Sequence, residues 1–252
     1  MKELQIKNIT IGNGTPKICV PIVAKNESGL LSQLSAFDRP EIDLLEWRID
    51  FMDCVHDTEK LLSLAEQIQK TLPSKPLLVT FRSKKEGGEQ ELTIADYLQL
   101  NLAFAHSCFA DLIDLELFTT EDENALTAIL KEIQETGTKV IFSNHDFEKT
   151  PSEEEIVKRL TKMQTLGGDI AIIAVMPQTS ADVLTLLSAT RRMTEEIATV
   201  PIVTMSMGAL GAISRISGST FGSSITFGAL GQTSAPGQLE VAKLRDILLT
   251  LG

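Results

Sequence analysis

His145 is the residue whose chemistry is easiest to place. It closes the apolar run Val140-Ile141-Phe142-Ser143-Asn144-His145, and an imidazole at the end of a strand can take and return protons near neutral pH, its ordinary pKa being about 6.5. His56 and His106 fall on helical or loop segments and read as structural. Acids and arginines stand at the ends of other apolar runs. In Leu45-Glu46-Trp47-Arg48-Ile49-Asp50 the pair Glu46 and Arg48 share a face of an extended segment, and an ion pair between them is the plainest structural reading. The stretch Thr80-Phe81-Arg82-Ser83-Lys84-Lys85-Glu86-Gly87-Gly88-Glu89 joins an arginine to a glycine pair that allows a tight loop, one able to return a carboxylate. Asp114 and Glu116 share a parity in their own run, where unpaired acids would be costly to bury. They are expected to pair with arginines such as Arg48 or Arg82.

Further along, Ile213-Ser214-Arg215 offers a guanidinium fork that could hold a carboxylate in two parallel hydrogen bonds. Met205 and Met207 are able to wall a small apolar pocket. Gln232-Thr233-Ser234-Ala235-Pro236-Gly237-Gln238, small and turn-forming, reads either as a lid or as a plain connector before the last helix. Several arginines, two or more carboxylates and one histidine fit proton abstraction from a small polyhydroxylated acid. A lone candidate histidine offers no two-His or His/Cys ligand set, so no metal is expected.

The elements that must position these groups alternate. Eight runs rich in Val, Ile and Leu recur at Lys17 to Val23, Asp43 to Arg48, Pro76 to Phe81, Asp111 to Leu117, Lys139 to Asn144, Asp169 to Val175, Pro201 to Met205 and Ser224 to Gly228. Helical periodicity fills the gaps near 28–36, 58–72, 93–109, 122–136, 152–166, 180–194 and 208–218, with a last helix near 238–251. Continuous apolar strands between helices predict a parallel sheet covered on its outer face, and eight units favour an α/β fold of the (β/α)₈ TIM-barrel type. No GxGxxG follows any of the runs, which argues against a dinucleotide site, and no cofactor is expected. Leu4-Gln5-Ile6 and Ile9-Thr10-Ile11 alternate about Lys7-Asn8, so residues 1–15 are read as a hairpin capping the barrel floor of one 1–252 domain.

A formal net charge of −11 disfavours nucleic acid and anionic membrane surfaces as partners, while a local cluster of arginines still permits a small anion. The three cysteines, Cys19, Cys54 and Cys108, show no ligand spacing and are read as reduced packing thiols. Met1-Lys2-Glu3-Leu4-Gln5 lacks the apolar run of a signal peptide, and the longest such run, Ile170 to Met176, is far shorter than the ~20 residues a span requires. A cytoplasmic protein is expected.

The segments Glu46-Trp47-Arg48, Phe81-Arg82-Ser83-Lys84-Lys85-Glu86-Gly87-Gly88, Ser143-Asn144-His145-Asp146-Phe147, Ala174-Val175-Met176-Pro177, Ile213-Ser214-Arg215 and Ser234-Ala235-Pro236-Gly237-Gln238 resemble, in order and spacing, those of type I 3-dehydroquinate dehydratases. The resemblance runs from about residue 15 to the end. It implies a (β/α)₈ barrel, usually a homodimer, that removes water from 3-dehydroquinate to give 3-dehydroshikimate in the shikimate pathway. It implies His145 as the base at C2, Glu86 as the acid that orients it and Arg215 as the carboxylate clamp. Glu46, Arg48, Arg82, Ser234 and Gln238 would hold ring hydroxyls and close the lid. It also exposes a departure: where the family carries the lysine that forms an imine with the substrate ketone, this chain has Ile172. Isoleucine cannot form that electron sink. An impaired dehydratase is therefore expected, the alternative being a catalytically silent homologue that binds a shikimate-pathway carboxylate, or an active barrel that uses His145 alone on another substrate.

Overall fold

The computed structural model describes residues 3–120, 122–231 and 234–252. The chain opens on a hairpin, β1 (Leu4–Ile6) and β2 (Ile9–Ile11), with Lys7 and Asn8 in the turn and Lys7 at φ 47°. Strands and helices then alternate: β3 (Lys17–Ile22), α1 (Glu27–Gln33), β4 (Leu44–Arg48), α2 (Thr58–Thr71), β5 (Leu77–Thr80), α3 (Ile94–Ser107), β6 (Leu112–Glu116) and α4 (Glu123–Glu135). The second half runs β7 (Lys139–Asp146), α5 (Glu153–Thr165), β8 (Ile170–Val175), α6 (Ser180–Arg192), β9 (Ile202–Ser206), α7 (Ala212–Ile216), α8 (Gly218–Phe221), β10 (Ile225–Ala229), β11 (Leu239–Glu240) and α9 (Val241–Leu251).

Strands β3 to β9 pair in parallel in chain order, and β10 pairs back onto β3 with Ile225 opposite Lys17. The curled sheet meets itself where the Ser224 N–H donates to the Ile202 carbonyl at 2.8 Å. This is the expected TIM-barrel architecture. Alternation along each strand then divides the core in two. Leu45 and Trp47 of β4 point out to the helices, while Leu44 points in, with Leu78, Leu112, Ile141 and Ile170 from the neighbouring strands. Ile6, Ile9 and Ile11 of the hairpin belong to this inner cluster, with residues from the starts of the barrel strands.

The helix starts follow from local chemistry. Asp57, Thr93, Asp122 and Ser152 each accept a hydrogen bond from a first-turn backbone N–H, a cap that contributes about 1 kcal/mol. Three predictions need correction. The helix read over 208–218 is two short helices, α7 and α8, which meet at Ser217, whose backbone at φ −101° and ψ 15° leaves the helical region. The helix read near 28–36 ends at Gln33 and tightens into a 3-10 turn, Leu34–Phe37. Of the three thiols only Cys19 is buried; Cys108 is exposed at the end of α3, at φ 60°.

Candidate active site at the barrel mouth

The inward parity of the strands carries a second set of side chains at the opposite end of the barrel, and they are polar. Glu46 and Arg48 come from β4, Arg82 from just past β5, Asp114 and Glu116 from β6, and Ser143 and His145 from β7. Glu46, Arg48, Arg82, Glu86, His145, Ile172, Arg215, Ser234 and Gln238, all singled out from sequence, line one cavity. Leu78, Ala174, Met205, Met207 and Phe227 complete it with an apolar wall that includes Ile172.

Glu86 reaches the mouth on a single 3-10 turn, Lys84–Glu86, that ends at Gly87 with φ 87°. A side chain at Gly87 would be strained in this left-handed conformation and would also strike the Phe147 ring. The turn is pinned by the Gly88 N–H donating to the Ser83 carbonyl at 2.8 Å. It is Glu86, not the exposed Glu89, that the loop returns over the barrel. One Glu86 oxygen accepts from Asn144 Nδ2 at 3.1 Å; the other accepts the backbone N–H of His145 at 2.9 Å and lies 3.0 Å from His145 Nδ1.

Burial, with the Arg82 guanidinium nearby, pulls the imidazole down to about 3, and Asp114 and Glu116 oppose this only in part. The ring is therefore neutral near pH 7. A neutral ring facing a carboxylate at Nδ1 carries its hydrogen there and leaves the Nε2 lone pair as a base. Burial raises Glu86, Glu46 and Asp114 above the usual carboxylate range.

The acids of β6 pair as the sequence reading expected, and the departure from it is at Glu46. Arg82 takes both Asp114, at 3.0 Å, and Glu116, at 2.9 Å, and donates to Ser143 Oγ at 2.9 Å. Burial alone would lower Arg82, but Asp114, Glu116 and Glu86 outweigh it and hold the guanidinium charged. Arg48 does not pair with Glu46. It forms a two-pronged pair with the fully buried Asp50, both bonds at 2.8 Å, and Glu46 accepts from Thr80 Oγ1 at 2.9 Å. Asp50 was missed as a positioning residue although it repeats the parity of Glu46 and Arg48.

Arg215 is the exception among these cations. It is 2% exposed, and among the described residues no carboxylate pairs with it. Its polar contacts are the Pro236 carbonyl at 2.8 Å and Met205 Sδ at 3.6 Å, and Nε has no partner. Burial pulls it down to about 10. A buried cation without a counter-charge is a seat for an anion. The segment bearing Pro236 lies across the mouth: Gly208 N–H also donates to Pro236, and Ser234 and Gln238 bond each other at 3.0 Å. Gln232 and Thr233 of the lid motif lie outside the described residues.

Among the described residues no lysine lines the cavity. Lys84, Lys85 and Lys149 are exposed, and Lys139 begins β7 at the far end. Ile172 is 3% exposed and packs with Ile170, Ala174 and Met205. Among the described residues no group of three or more His, Cys, Asp and Glu side chains is arranged to hold a metal, and no helix is long and apolar enough to cross a membrane.

Fold and cavity together define an α/β-barrel protein whose mouth pairs a neutral imidazole with an uncompensated guanidinium, the equipment for acid–base work on a small carboxylate. Residues 18–252 match the type I 3-dehydroquinase family. The 3-dehydroquinate dehydratase of Salmonella typhimurium is 50% identical over 251 residues, covering 100% of this chain and 99% of that protein. The solved structure of the Clostridium difficile type I 3-dehydroquinate dehydratase, bearing covalently modified comenic acid, superposes with a TM-score of 0.94 at 43% identity, covering 99% of this chain and 97% of that one. The Enterococcus faecalis 3-dehydroquinate dehydratase gives 0.91 at 45% identity, with 98% of each chain covered. The chain belongs to the type I 3-dehydroquinase family.

Proposed function

We propose that the cavity binds 3-dehydroquinate and that this chain is a 3-dehydroquinate dehydratase whose chemical step is crippled at Ile172. The observation that carries the reading is a mouth that gathers His145, Glu86 and Arg215 around an isoleucine, with no lysine among the described residues of its lining. Arg215 takes the substrate carboxylate, which supplies the anion its buried guanidinium lacks. Glu46, Arg48 and Arg82 hold ring hydroxyls, and Ser234 and Gln238 close over them. His145 Nε2 removes the C2 proton and returns a proton to the departing hydroxyl, with Glu86 fixing the ring.

In the family's mechanism a lysine imine at C3 receives the electron pair left at C2. Here the pair has only the ketone to move into, and the position from which that lysine would act is filled by a saturated side chain. By analogy with deletion of other covalent nucleophiles, the loss in turnover is on the order of a millionfold. Ile172→Lys, assayed by the absorbance of the conjugated enone product, is expected to restore that factor. A well-folded revertant with no activity would remove the proposal. Residues 1–252 act in this reading as one unit, a cytoplasmic homodimer, and light scattering coupled to gel filtration checks the stoichiometry.

A second reading, a silent homologue that binds a shikimate-pathway carboxylate without turning it over, is favoured by how well Ile172 is packed. A desolvated lysine costs stability that an apolar side chain does not. Both readings give binding by calorimetry. The codon at position 172 in the source gene separates them, since a native isoleucine codon selects the silent homologue.

A further inference from the structure

We propose that Arg159, on α5 outside the barrel, is a positioning residue that sets the tautomer of His145 by way of Asn144 and Glu86. The contacts form one chain. Arg159 Nη1 donates to Asn144 Oδ1 at 2.9 Å, Asn144 Nδ2 donates to Glu86 Oε1 at 3.1 Å, and Glu86 Oε2 lies 3.0 Å from His145 Nδ1. Asn144 is buried. Arg159 is itself held by Glu155 Oε1 at 2.8 Å and lies over the Phe118 ring, 5.5 Å from its centroid.

A side-chain amide has an accepting end and a donating end of nearly the same shape, and its neighbours decide which way it points. A guanidinium only donates, so the amide oxygen must face Arg159. The amide nitrogen then has to face Glu86, which as a carboxylate only accepts. Reversing the amide would set a donor against the guanidinium and an acceptor against the carboxylate. Arg159 therefore specifies Asn144 as a donor to Glu86.

That donor matters because Glu86 is buried, and burial favours its protonated form. With Asn144 and the His145 backbone N–H both donating, Glu86 stays ionised and accepts the Nδ1 hydrogen, leaving Nε2 free to act as a base. A protonated Glu86 would donate to Nδ1 instead and move the ring hydrogen to Nε2. The base would then be lost without His145 being touched. Only the catalytic consequence rests on the function proposed above; the tautomer is a property of the ligand-free protein.

The test is ring-nitrogen correlation spectroscopy on the ¹⁵N-labelled protein at pH 7, with His145→Ala assigning the signals against His56 and His106. The expected result is a dominant Nδ1–H tautomer in the unmodified chain. Arg159→Met, which keeps the stem and removes every donor, should shift the tautomer ratio toward Nε2–H by about tenfold, as befits losing a hydrogen bond to a charged group. Arg159→Lys should recover part of the shift. Glu155→Gln breaks the ion pair but leaves Arg159 on Asn144, and should change nothing in the ring. Asn144→Ala should reproduce the Arg159→Met shift, and it decides the matter if Arg159→Met does not fold. An unchanged ratio in the folded Arg159→Met or Asn144→Ala protein overturns the proposal, as does an equal shift in Glu155→Gln. In an Ile172→Lys background that is active, Arg159→Met should lower kcat at unchanged KM and raise the acid limb of the pH profile. If that background is inactive the dehydratase reading fails, while the tautomer ratio still judges this proposal.

Discussion

Replacing Arg215 with methionine is expected to stabilise the empty protein and weaken the proposed carboxylate binding together. Burial pulls the guanidinium well below its ordinary value, to about 10, and at ~1.4 kcal/mol for each pKa unit this corresponds to roughly 3 kcal/mol of uncompensated desolvation. The unfolded chain keeps the ordinary value, so the cost is present at every pH below about 10 and fades only as pH rises from there toward that ordinary value. A measurement at pH 7 therefore sees all of it. Arg215→Met also gives up the hydrogen bond to the Pro236 carbonyl, worth about 1 kcal/mol. The net gain is roughly 2 kcal/mol, a rise of about 4 to 8 °C in Tm for a chain of this size. The same change removes the charged half of a buried pair with the ligand carboxylate, for which a loss of about 2 to 5 kcal/mol in binding is usual. Scanning calorimetry without ligand and titration calorimetry with 3-dehydroquinate read the two effects. A variant with a lower Tm and undiminished binding would refute the assignment of Arg215 as an unsatisfied carboxylate seat.

His145, held near 3 against an ordinary 6.5, makes the fold acid-sensitive: the unfolded chain gains this proton first, so stability present above pH 6.5 is lost as pH falls toward 3. Between pH 7 and 5 the unmodified protein should lose about 2 kcal/mol more than His145→Gln in denaturant melts, and equal losses would contradict the depressed imidazole. Asp50→Asn leaves the buried Arg48 without its counter-charge and should cost about 3 to 5 kcal/mol in a urea titration; a loss below about 1 kcal/mol would show that Arg48 finds another partner. Gly88→Ala would drive a methyl into the Arg82 carbonyl and is expected to cost about 1 to 3 kcal/mol. Because the same loop carries Glu86, it should also shift the His145 ring signals, and unchanged signals would separate the loop from the site.

The barrel and its mouth were legible because each strand announces itself as an apolar run and barrel chemistry gathers where such runs end. Glu46, Arg48, Arg82 and His145 all stand at those ends, and parity alone turns them inward. The pairing of charges was not legible. Arg82 could be expected to meet Asp114 and Glu116, but that Arg48 turns to Asp50 instead of Glu46 depends on where the chain bends after β4. Arg159 carried no signal at all, since an arginine on the helix that follows β7 looks like any solvated one until Asn144 is seen to point outward from that strand.

Borohydride added to the protein with 3-dehydroquinate, read by intact mass beside Ile172→Lys, bears most directly on the proposal that the mouth binds its ligand without a covalent anchor. The unmodified chain should keep its own mass and the lysine variant should gain one reduced ligand. An adduct on the unmodified chain would mean that another amine has taken over the site.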